Sequence, residues 1–416
     1  MLRSQSVGCD SVLDCADLAM PRIETPEPLL RSRMPELDTL RGVAVLLVLF
    51  FHGFYFIAGA ARFHGPIRWF VLATDAGWTG VNLFFVLSGF LITGILLDSR
   101  NEPGYYRGFY LRRALRILPA YYGFLLLLLL ATRTGMVSRS ASWGFLGLSL
   151  VYLSNVTNLL GVPMQYGALW SLAVEEHFYL LWPAAVRNLS RRFLPWMCGL
   201  IVLGCPALRA FCYWHHYEYT ASYTWLVADG LAWGAMIALL ARGRLSSRRS
   251  MSRFGSACVV GTACLVTGLL PFGVGSSGTL VGGALMMSLI NSFFAGVLAL
   301  ALVVGSGEWK AIFARTSLKF FGGISYGLYL VEMLAFDVVD RVLGRWGLLV
   351  SRTSGSFTLV LARFAAGAAL AVAVAYLSRW YYEEPFLQLK NRFGLHPIKR
   401  PGKETQNLAL ETKAAS

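Results

Sequence analysis

The chain has 416 residues, of which 56% are hydrophobic and only 14% are charged, and its formal net charge is +15. A soluble fold of this length does not bury that much apolar surface, so the composition excludes an ordinary water-soluble protein and indicates an integral membrane protein. Most Lys and Arg residues stand in short loops between apolar runs. That distribution is typical of membrane topology and argues against a nucleic-acid partner.

The two ends of the chain are polar. Residues 1–36 contain no apolar core of a signal peptide, so we expect a disordered cytoplasmic tail there, and a second, basic one over 393–416. Residues 37–392 between them are expected to form one transmembrane domain. The seven cysteines include no Cys-x-x-Cys pair, so we interpret them as small buried hydrophobes and expect no metal site.

Ten apolar runs approach the roughly 20 residues that a helix needs to cross a bilayer. The segment 143–160 is also apolar, but counting it as a span would move the arginines of 187–192 to the side poor in basic residues. We therefore expect it to be re-entrant or interfacial. The predicted fold class is all-α, a polytopic membrane protein of about ten transmembrane helices. The expected spans are 38–60, 78–98, 112–131, 170–187, 195–213, 222–241, 254–273, 281–304, 318–339 and 357–381.

The basic loops predict the orientation. With the loop 99–111 placed in the cytoplasm, alternation puts the basic loops 187–193 and 241–254 on the same side, together with both termini. The segment 340–352 is the exception, since it places arginines on the opposite side. The prediction is a multi-pass protein of the bacterial inner (plasma) membrane, embedded in its lipid bilayer.

The first span carries two ionisable side chains, Arg41 and, eleven residues later, His52. At 1.5 Å per residue, His52 lies about 16 Å along the helix axis from Arg41, at or beyond the middle of the membrane. One interpretation of His52 is a structural histidine bonded to a neighbouring helix. A titratable side chain inside a bilayer is costly, however, and this favours a functional role.

The second span is rich in small residues. Gly89 and Gly94 indicate close packing of helices, whereas the polar Asn82 and Ser88 are candidates to line a cavity.

The third span begins with several arginines. Arg113 and Arg116 lie three residues apart and therefore share one face of a helix. Guanidinium groups pair bidentately with phosphate oxygens, so the two would make a phosphate clamp. Ordinary positive-inside anchoring is the alternative explanation.

The fourth span contains the motif "SLAVEEHFY", which places Glu175 and Glu176 side by side. Adjacent carboxylates point in different directions on a helix, so at most one faces a given cavity, and the sequence leaves open which. A glutamate that meets His52 would orient the imidazole and raise its basicity, as a general base requires. The alternative is an interfacial carboxylate that faces water.

Six motifs follow one another along the chain: "LDTLRG", "FFVLSGFLI", "RRALRILP", "LWSLAVEEHFYLLWP", "ISYGLYLVE" and "YYEEPF". Together they resemble the membrane acyltransferase-3 family, whose members O-acylate surface polysaccharides or macrolide antibiotics. The resemblance that the motifs carry covers about residues 35–390. The resemblance implies an acyltransferase with acyl-CoA, commonly acetyl-CoA, as co-substrate from the cytoplasm, and a carbohydrate or glycoside hydroxyl as acceptor. It implies no bound cofactor.

The resemblance also implies roles for individual residues. His52 would be the catalytic base, with Glu175 or its close competitor Glu176 as the acidic catalytic residue. The residues expected at the acyl-CoA are Arg41, at the donor mouth, and Arg113 and Arg116, at the CoA phosphates. The residues expected to line the cavity are Asn82, Ser88, Trp170, Ser171 and Tyr326.

One position departs from the family pattern. Family members often carry a histidine where this chain has Glu332, so no role of that histidine is carried over. His52 would remove the proton of the acceptor hydroxyl as it attacks the thioester carbonyl. Because no serine or cysteine stands in a recognisable triad, we expect direct transfer without an acyl-enzyme; an essential Ser88 would contradict this.

Two other classes of function stay open at this point. The same buried histidine and glutamate would serve as a proton relay in a secondary transporter or an acyl-group exporter. Transporters often contain internal repeats, and none is visible in the sequence, which counts against this alternative. A non-catalytic scaffold or sensor would leave the buried charges without a purpose.

Overall fold

The structure is a computed structural model, and all its regular elements are helical within the residues that it describes, which confirms the all-α prediction. The predicted tails lie largely outside those residues, so the expectation about them stays a prediction. The described residues are 28–31, 33–137, 141–216, 222–307, 311, 317–352 and 354–392.

The apolar runs form long helices, and hydroxyl side chains begin several of them. Ser142, Ser247, Thr279 and Ser356 each accept a hydrogen bond from a backbone amide in the first turn of the helix that follows. The helices are α1 (Pro35–Phe50), α2 (Gly65–Asp75), α3 (Gly80–Asp98), α4 (Tyr105–Arg133), α5 (Trp143–Leu150), α6 (Ala168–Asn188), α7 (Phe193–Trp214), α8 (Asp229–Ala241), α9 (Arg248–Leu269), α10 (Leu280–Gly305), α11 (Leu318–Arg345), α12 (Phe357–Leu377) and α13 (Glu384–Arg392). Shorter helical turns lie at Phe51–Tyr55 and Ser378–Glu383 (both π-helical), at Ala76–Thr79, Ser154–Leu160 and Leu270–Phe272 (all 3₁₀), and at Phe56–Ala58 and Thr224–Val227 (both α-helical).

Eight helical runs in the described part of the chain are long and apolar enough to cross a membrane. They match eight of the ten predicted spans. The predicted span 170–187 is present as α6, a 21-residue helix whose apolar character is interrupted by two glutamates. The predicted span 222–241 differs more, because its long helix, α8, has only 13 residues and reaches about 20 Å.

The segment 143–160 does not form a spanning helix. It consists of the eight-residue α5 and the 3₁₀ turn Ser154–Leu160. The Tyr121 hydroxyl donates to the Ser149 carbonyl oxygen at 2.8 Å, and the Ser154 hydroxyl donates to the Leu169 carbonyl oxygen at 2.8 Å. These bonds fasten the segment to α4 and α6, in agreement with the re-entrant or interfacial interpretation.

The basic loops predicted to share one side of the membrane do meet at one end of the bundle. Arg100 donates to the Leu189 carbonyl oxygen at 2.7 Å and so joins the loop after α3 to the loop after α6. Residues 191–192 and 242–244 line one groove. We call this end the basic face, defined by residues 99–104, 187–192 and 242–247.

Helices α3 and α8 touch backbone to backbone. A Cβ atom at Gly89 would overlap the Leu231 carbonyl oxygen, and one at Gly234 would overlap the Val86 carbonyl oxygen. Only glycine permits so close an approach at these points. The contact confirms the predicted packing role of Gly89, which is the neighbour of Ser88 on α3.

Candidate active site

A cavity of about 80 Å³ lies among α1, α3, α4, α6 and α11. Arg41 from α1 and Arg113 and Arg116 from α4 line one part of it, and Ser88 and Glu175 line another. We call it the arginine cavity. It brings together the two groups of basic residues that the sequence placed on different helices.

The arginine cavity is strongly positive. Arg41 and Arg113 are half-buried and Arg116 is exposed. The Arg113 guanidinium lies 5.5 Å from the ring centre of Tyr179. Three like charges around one small space repel one another, and Glu175 is the acidic side chain among the described residues that line it. An anionic ligand would therefore be stabilised there.

Glu175 is held by two hydroxyl groups. Its Oε1 accepts a hydrogen bond from Ser88 Oγ at 2.8 Å, and its Oε2 accepts one from the Tyr179 hydroxyl at 2.9 Å. Glu176 is not among the described residues that line the cavity, and it lies in electrostatic range of Tyr152 and Tyr326. Both glutamates lie in electrostatic range of Arg113, but among the described residues Glu175 is the one of the two that lines the arginine cavity.

His52 lies outside the arginine cavity, in a crevice of about 20 Å³. Its Nδ1 atom is 2.7 Å from Oε1 of Glu332, a fully buried carboxylate on α11. The His52 side chain is 17% exposed, so one edge of the imidazole is open to the crevice. We call this space the His52 crevice. The residues that line it with His52 include Phe56, Tyr166, Asp337, Asp340 and Arg363.

His52 belongs to the π-helical turn that continues α1. Such turns are rare and often occur at functional sites, because the wider turn changes the direction of its side chains. Arg363 on α12 is 3% exposed and donates from Nη1 to the carbonyl oxygen of Gly53 at 3.2 Å. Its Nη2 also donates to Oδ2 of Asp340 at 2.8 Å. Arg363 and Asp340 therefore hold the turn from outside.

Helix α11 connects the two spaces. Tyr329 lines the arginine cavity and lies three residues before Glu332, which is about 4.5 Å along the helix axis. Its hydroxyl is 2.6 Å from Ser171 Oγ. Residues three apart share one face of a helix, so the same face of α11 presents a wall of the arginine cavity at Tyr329 and, one turn further along, the partner of His52.

The residues proposed from the sequence separate into groups. Asn82 and Trp170 are not among the described residues that line the cavity. Asn82 donates instead to Asn291 Oδ1 at 2.8 Å. Trp170 packs edge-on against Phe85, with ring centres 6.0 Å apart. His52 meets Glu332, not the expected Glu175 or Glu176. The expected residues that share the arginine cavity are Arg41, Ser88, Arg113, Arg116, Ser171, Glu175 and Tyr326.

Three residues around His52 were not predicted from the sequence to belong to the site, namely Glu332, Asp340 and Arg363. A signal was present, because all three are ionisable residues within or beside predicted apolar spans, where such residues are costly and usually functional. In the sequence, Glu332 stands out only as a departure from a family histidine.

Among the described residues, no group of three or more His, Cys, Asp or Glu side chains is placed to hold a metal ion.

The protein is a multi-pass membrane protein with a buried polar site. Its membrane-crossing helices enclose a histidine–glutamate pair beside an arginine-lined cavity. Residues 34–380 match the Acyl_transf_3 family model, which is described as an acyltransferase domain. The chain belongs to this acyltransferase family, as its ordered motifs indicated.

Several relatives are named as O-acetyltransferases. Peptidoglycan O-acetyltransferase OatA of Listeria monocytogenes is 32% identical over 170 residues, covering 37% of this chain and 24% of its own length. A Staphylococcus aureus protein, provisionally named O-acetyltransferase SAS0844, is 27% identical over 339 residues, covering 74% of this chain and 51% of its own length. The chain thus spans about half, or less, of these relatives. No solved structure matches the chain.

Proposed function

We propose that this protein is an integral membrane O-acyltransferase. It moves an acyl group, in the first place acetyl, from acyl-CoA to a hydroxyl group of a carbohydrate or glycoside. The observation that carries the proposal is the 2.7 Å contact between His52 and buried Glu332, one turn along α11 from the wall of the arginine cavity. A base with an acidic partner next to an anion-binding space is what transfer from acyl-CoA to a hydroxyl requires.

The donor would enter from the basic face, which we propose is cytoplasmic, together with both termini. A second cavity there, of about 260 Å³, is lined by Arg33, Asp38, Arg41 and Arg242. Arg41 lines both this cavity and the arginine cavity, so the two adjoin. The phosphates of CoA would be bound by guanidinium groups along this route, which matches the strength of Arg–phosphate pairing.

The reaction would be a direct transfer. With Nδ1 of His52 facing Glu332, the other ring nitrogen, Nε2, would accept the proton of the acceptor hydroxyl. The hydroxyl oxygen then forms a bond to the thioester carbonyl carbon, and the carbon–sulfur bond breaks. The proton held by His52 passes to the departing CoA thiolate, and Glu332 stabilises the imidazolium between these events.

In this proposal Glu332 has the role that the sequence analysis gave to Glu175 or Glu176. Glu175 is engaged by Ser88 and Tyr179 and lies among the arginines. We assign it a positioning role, in which its negative charge keeps Arg41 and Arg113 directed toward the donor.

The His52 crevice suits an acceptor rich in hydroxyl groups. Asp337, Asp340 and Tyr166 line it and are already engaged, since the Tyr166 hydroxyl donates to Asp337 Oδ2 at 3.1 Å and Asp340 pairs with Arg363. Their oxygen atoms have further lone pairs, with which they would accept hydrogen bonds from a sugar hydroxyl. At about 20 Å³ the crevice would admit a single hydroxyl group of the acceptor. The peptidoglycan named for one relative is a carbohydrate polymer, which supports the same class of acceptor here.

The test uses the full chain purified into lipid nanodiscs, with radiolabelled acetyl-CoA and a panel of bacterial glycans and glycosides. The wild type should transfer label, and His52→Ala should reduce transfer by about 10²–10⁴-fold, the range for losing a general base. His64→Ala is the matched control, because His64 is exposed in a loop. Equal transfer by His52→Ala and wild type would contradict the proposal, and so would acetyl-CoA-independent proton flux that needs His52, since that result supports a transporter.

A further inference from the structure

A groove of about 810 Å³ lies on the outside of the bundle at the basic face, between α7 and α8. It shares only Arg242 with the described lining of the donor route, and none of its described lining with the arginine cavity. Apolar residues form much of its lining. These apolar residues are Leu97, Pro195, Trp196, Met236, Leu239 and Leu240.

Arginines border the groove on the side of the basic face. Arg191 and Arg192 come from the loop before α7, and Arg242 and Arg244 come from the loop after α8. Arg242 is already paired, since its Nη2 donates to Oδ2 of Asp98 at 2.8 Å. The other three are exposed, and within the described part of the chain their guanidinium groups make no hydrogen bond or ion pair.

The groove opens toward the surface that faces the acyl chains. Trp196 is 78% exposed, and Leu200 and Leu203 on the same helix are each 72% exposed. Large apolar side chains exposed this way on a membrane-crossing helix lie against lipid. A Cβ atom added at Gly199, which also lines the groove, would meet no other atom within 4 Å, so there is free space beside the helix.

We propose that this groove binds one anionic phospholipid of the inner leaflet. Arg191, Arg192 and Arg244 would bind the headgroup phosphate, and the acyl chains would lie along the apolar lining beside Trp196 and Gly199. Basic pockets at the cytoplasmic end of helices, with apolar walls below them, bind lipid headgroups in this way. The site does not depend on the transfer reaction.

Charge and apolar surface together favour a lipid over a nucleotide. A nucleotide diphosphate would use the arginines but would leave the apolar lining in contact with its polar ribose. A zwitterionic lipid would cover the apolar lining but would bring a positive group next to Arg191, Arg192 and Arg244. An anionic lipid matches both parts of the groove.

The test measures lipid binding to the full chain in detergent by native mass spectrometry, using phosphatidylglycerol and phosphatidylcholine with identical acyl chains. Phosphatidylglycerol should bind at least about tenfold more tightly. The double variant Arg191→Ala/Arg192→Ala should weaken that binding about 25-fold, since each arginine near a lipid phosphate contributes about fivefold. Gly199→Leu should also weaken it, because the added side chain occupies space beside Trp196 where the acyl chains would lie, and it removes no charge.

Matched controls distinguish specific lipid binding in the groove from general attraction of anionic lipid to the surface charge of the protein. Arg249→Ala/Arg253→Ala removes two exposed arginines from α9, next to the same face, and Gly204→Leu adds the same side chain at another open position of α7. Both should change phosphatidylglycerol binding by less than about twofold, because exposed charges outside the groove are screened by salt.

Three results would overturn the proposal. Equal binding of the two lipids would remove the headgroup preference. Equal losses of phosphatidylglycerol binding in the Arg191/Arg192 and Arg249/Arg253 double variants would show that the lipid responds to surface charge and not to the groove. Displacement of phosphatidylglycerol by 3′-phospho-ADP, with Gly199→Leu still binding the lipid, would show a nucleotide site. If the arginine double fails to give a monodisperse protein, Gly199→Leu alone decides between these outcomes.

Discussion

Arg363 donates a hydrogen bond to the carbonyl oxygen of Gly53, 3.2 Å away, and thereby ties α12 to the π-helical turn that carries His52. The same guanidinium pairs with Asp340 on α11 and lies 4.7 Å from the ring centre of Phe336. The position of the proposed base is therefore set by a side chain that does not itself touch His52.

Arg363→Lys should lower kcat about tenfold while leaving KM for acetyl-CoA unchanged. Lysine keeps the positive charge but loses the planar fork that reaches Asp340 and Gly53 together. The measurement is steady-state kinetics with its pH profile, because a displaced His52 would alter that profile and a merely less stable protein would not. A double-mutant cycle with Asp340→Asn should show coupling. Fully additive effects of the two substitutions would show that Arg363 and Asp340 do not act together on the turn that carries His52.

Glu332→Gln should reduce kcat by about 10²–10³-fold, because the amide no longer stabilises the imidazolium formed during transfer. KM for acetyl-CoA should stay close to that of the wild type, since the arginine cavity is unchanged. Glu102→Gln is the control, because Glu102 is exposed in a loop at the basic face. Near-normal kcat in Glu332→Gln would remove this carboxylate from the chemistry.

The sequence predicted the helical class and most spans because apolar length is a strong signal in a membrane protein. Their spacing placed Arg113 and Arg116 on one helix face, and the resemblance to the acyltransferase-3 family added Arg41 to them at the acyl-CoA. The sequence could not pair His52 with its carboxylate. Residues 52 and 332 are 280 positions apart, and their contact depends on how α1 packs against α11.

The choice between Glu175 and Glu176 could not be made from the sequence for the same reason. Helical geometry predicted that at most one of the two glutamates faces the cavity. Which glutamate does so depends on the rotation of α6 about its own axis. That rotation follows from contacts across helices, among them the bonds from Ser88 and Tyr179 to Glu175.

Arg113→Gln should raise KM for acetyl-CoA about tenfold to 100-fold and should change kcat little, because it removes binding to a part of the donor that does not react. Dephospho-CoA thioesters or shorter pantetheine thioesters should show a smaller difference between variant and wild type. Arg107→Gln is the matched control, since Arg107 is exposed near the start of the same helix. An unchanged KM would place the CoA phosphates elsewhere.

Gly234→Ala should destabilise the bundle by about 1–3 kcal/mol or more, because the added methyl group would overlap the Val86 carbonyl oxygen. The measurement is thermal unfolding of the purified protein in one detergent. Gly147→Ala is the control, since a Cβ atom there meets nothing within 4 Å. Equal melting temperatures for the two variants would show that α3 and α8 do not touch as described.

Ser88→Ala separates direct transfer from an acyl-enzyme. Ser88 donates to Glu175 at 2.8 Å, an arrangement that a serine nucleophile with a carboxylate base would also show. Under direct transfer, Ser88→Ala should retain activity within about tenfold, because only one hydrogen bond to a positioning residue is lost. Protein quenched in acid after incubation with radiolabelled acetyl-CoA should carry no covalent label at residue 88. Stoichiometric label on Ser88, together with loss of transfer in Ser88→Ala, would replace the ternary-complex mechanism with a two-step one in which Glu175 is the first base.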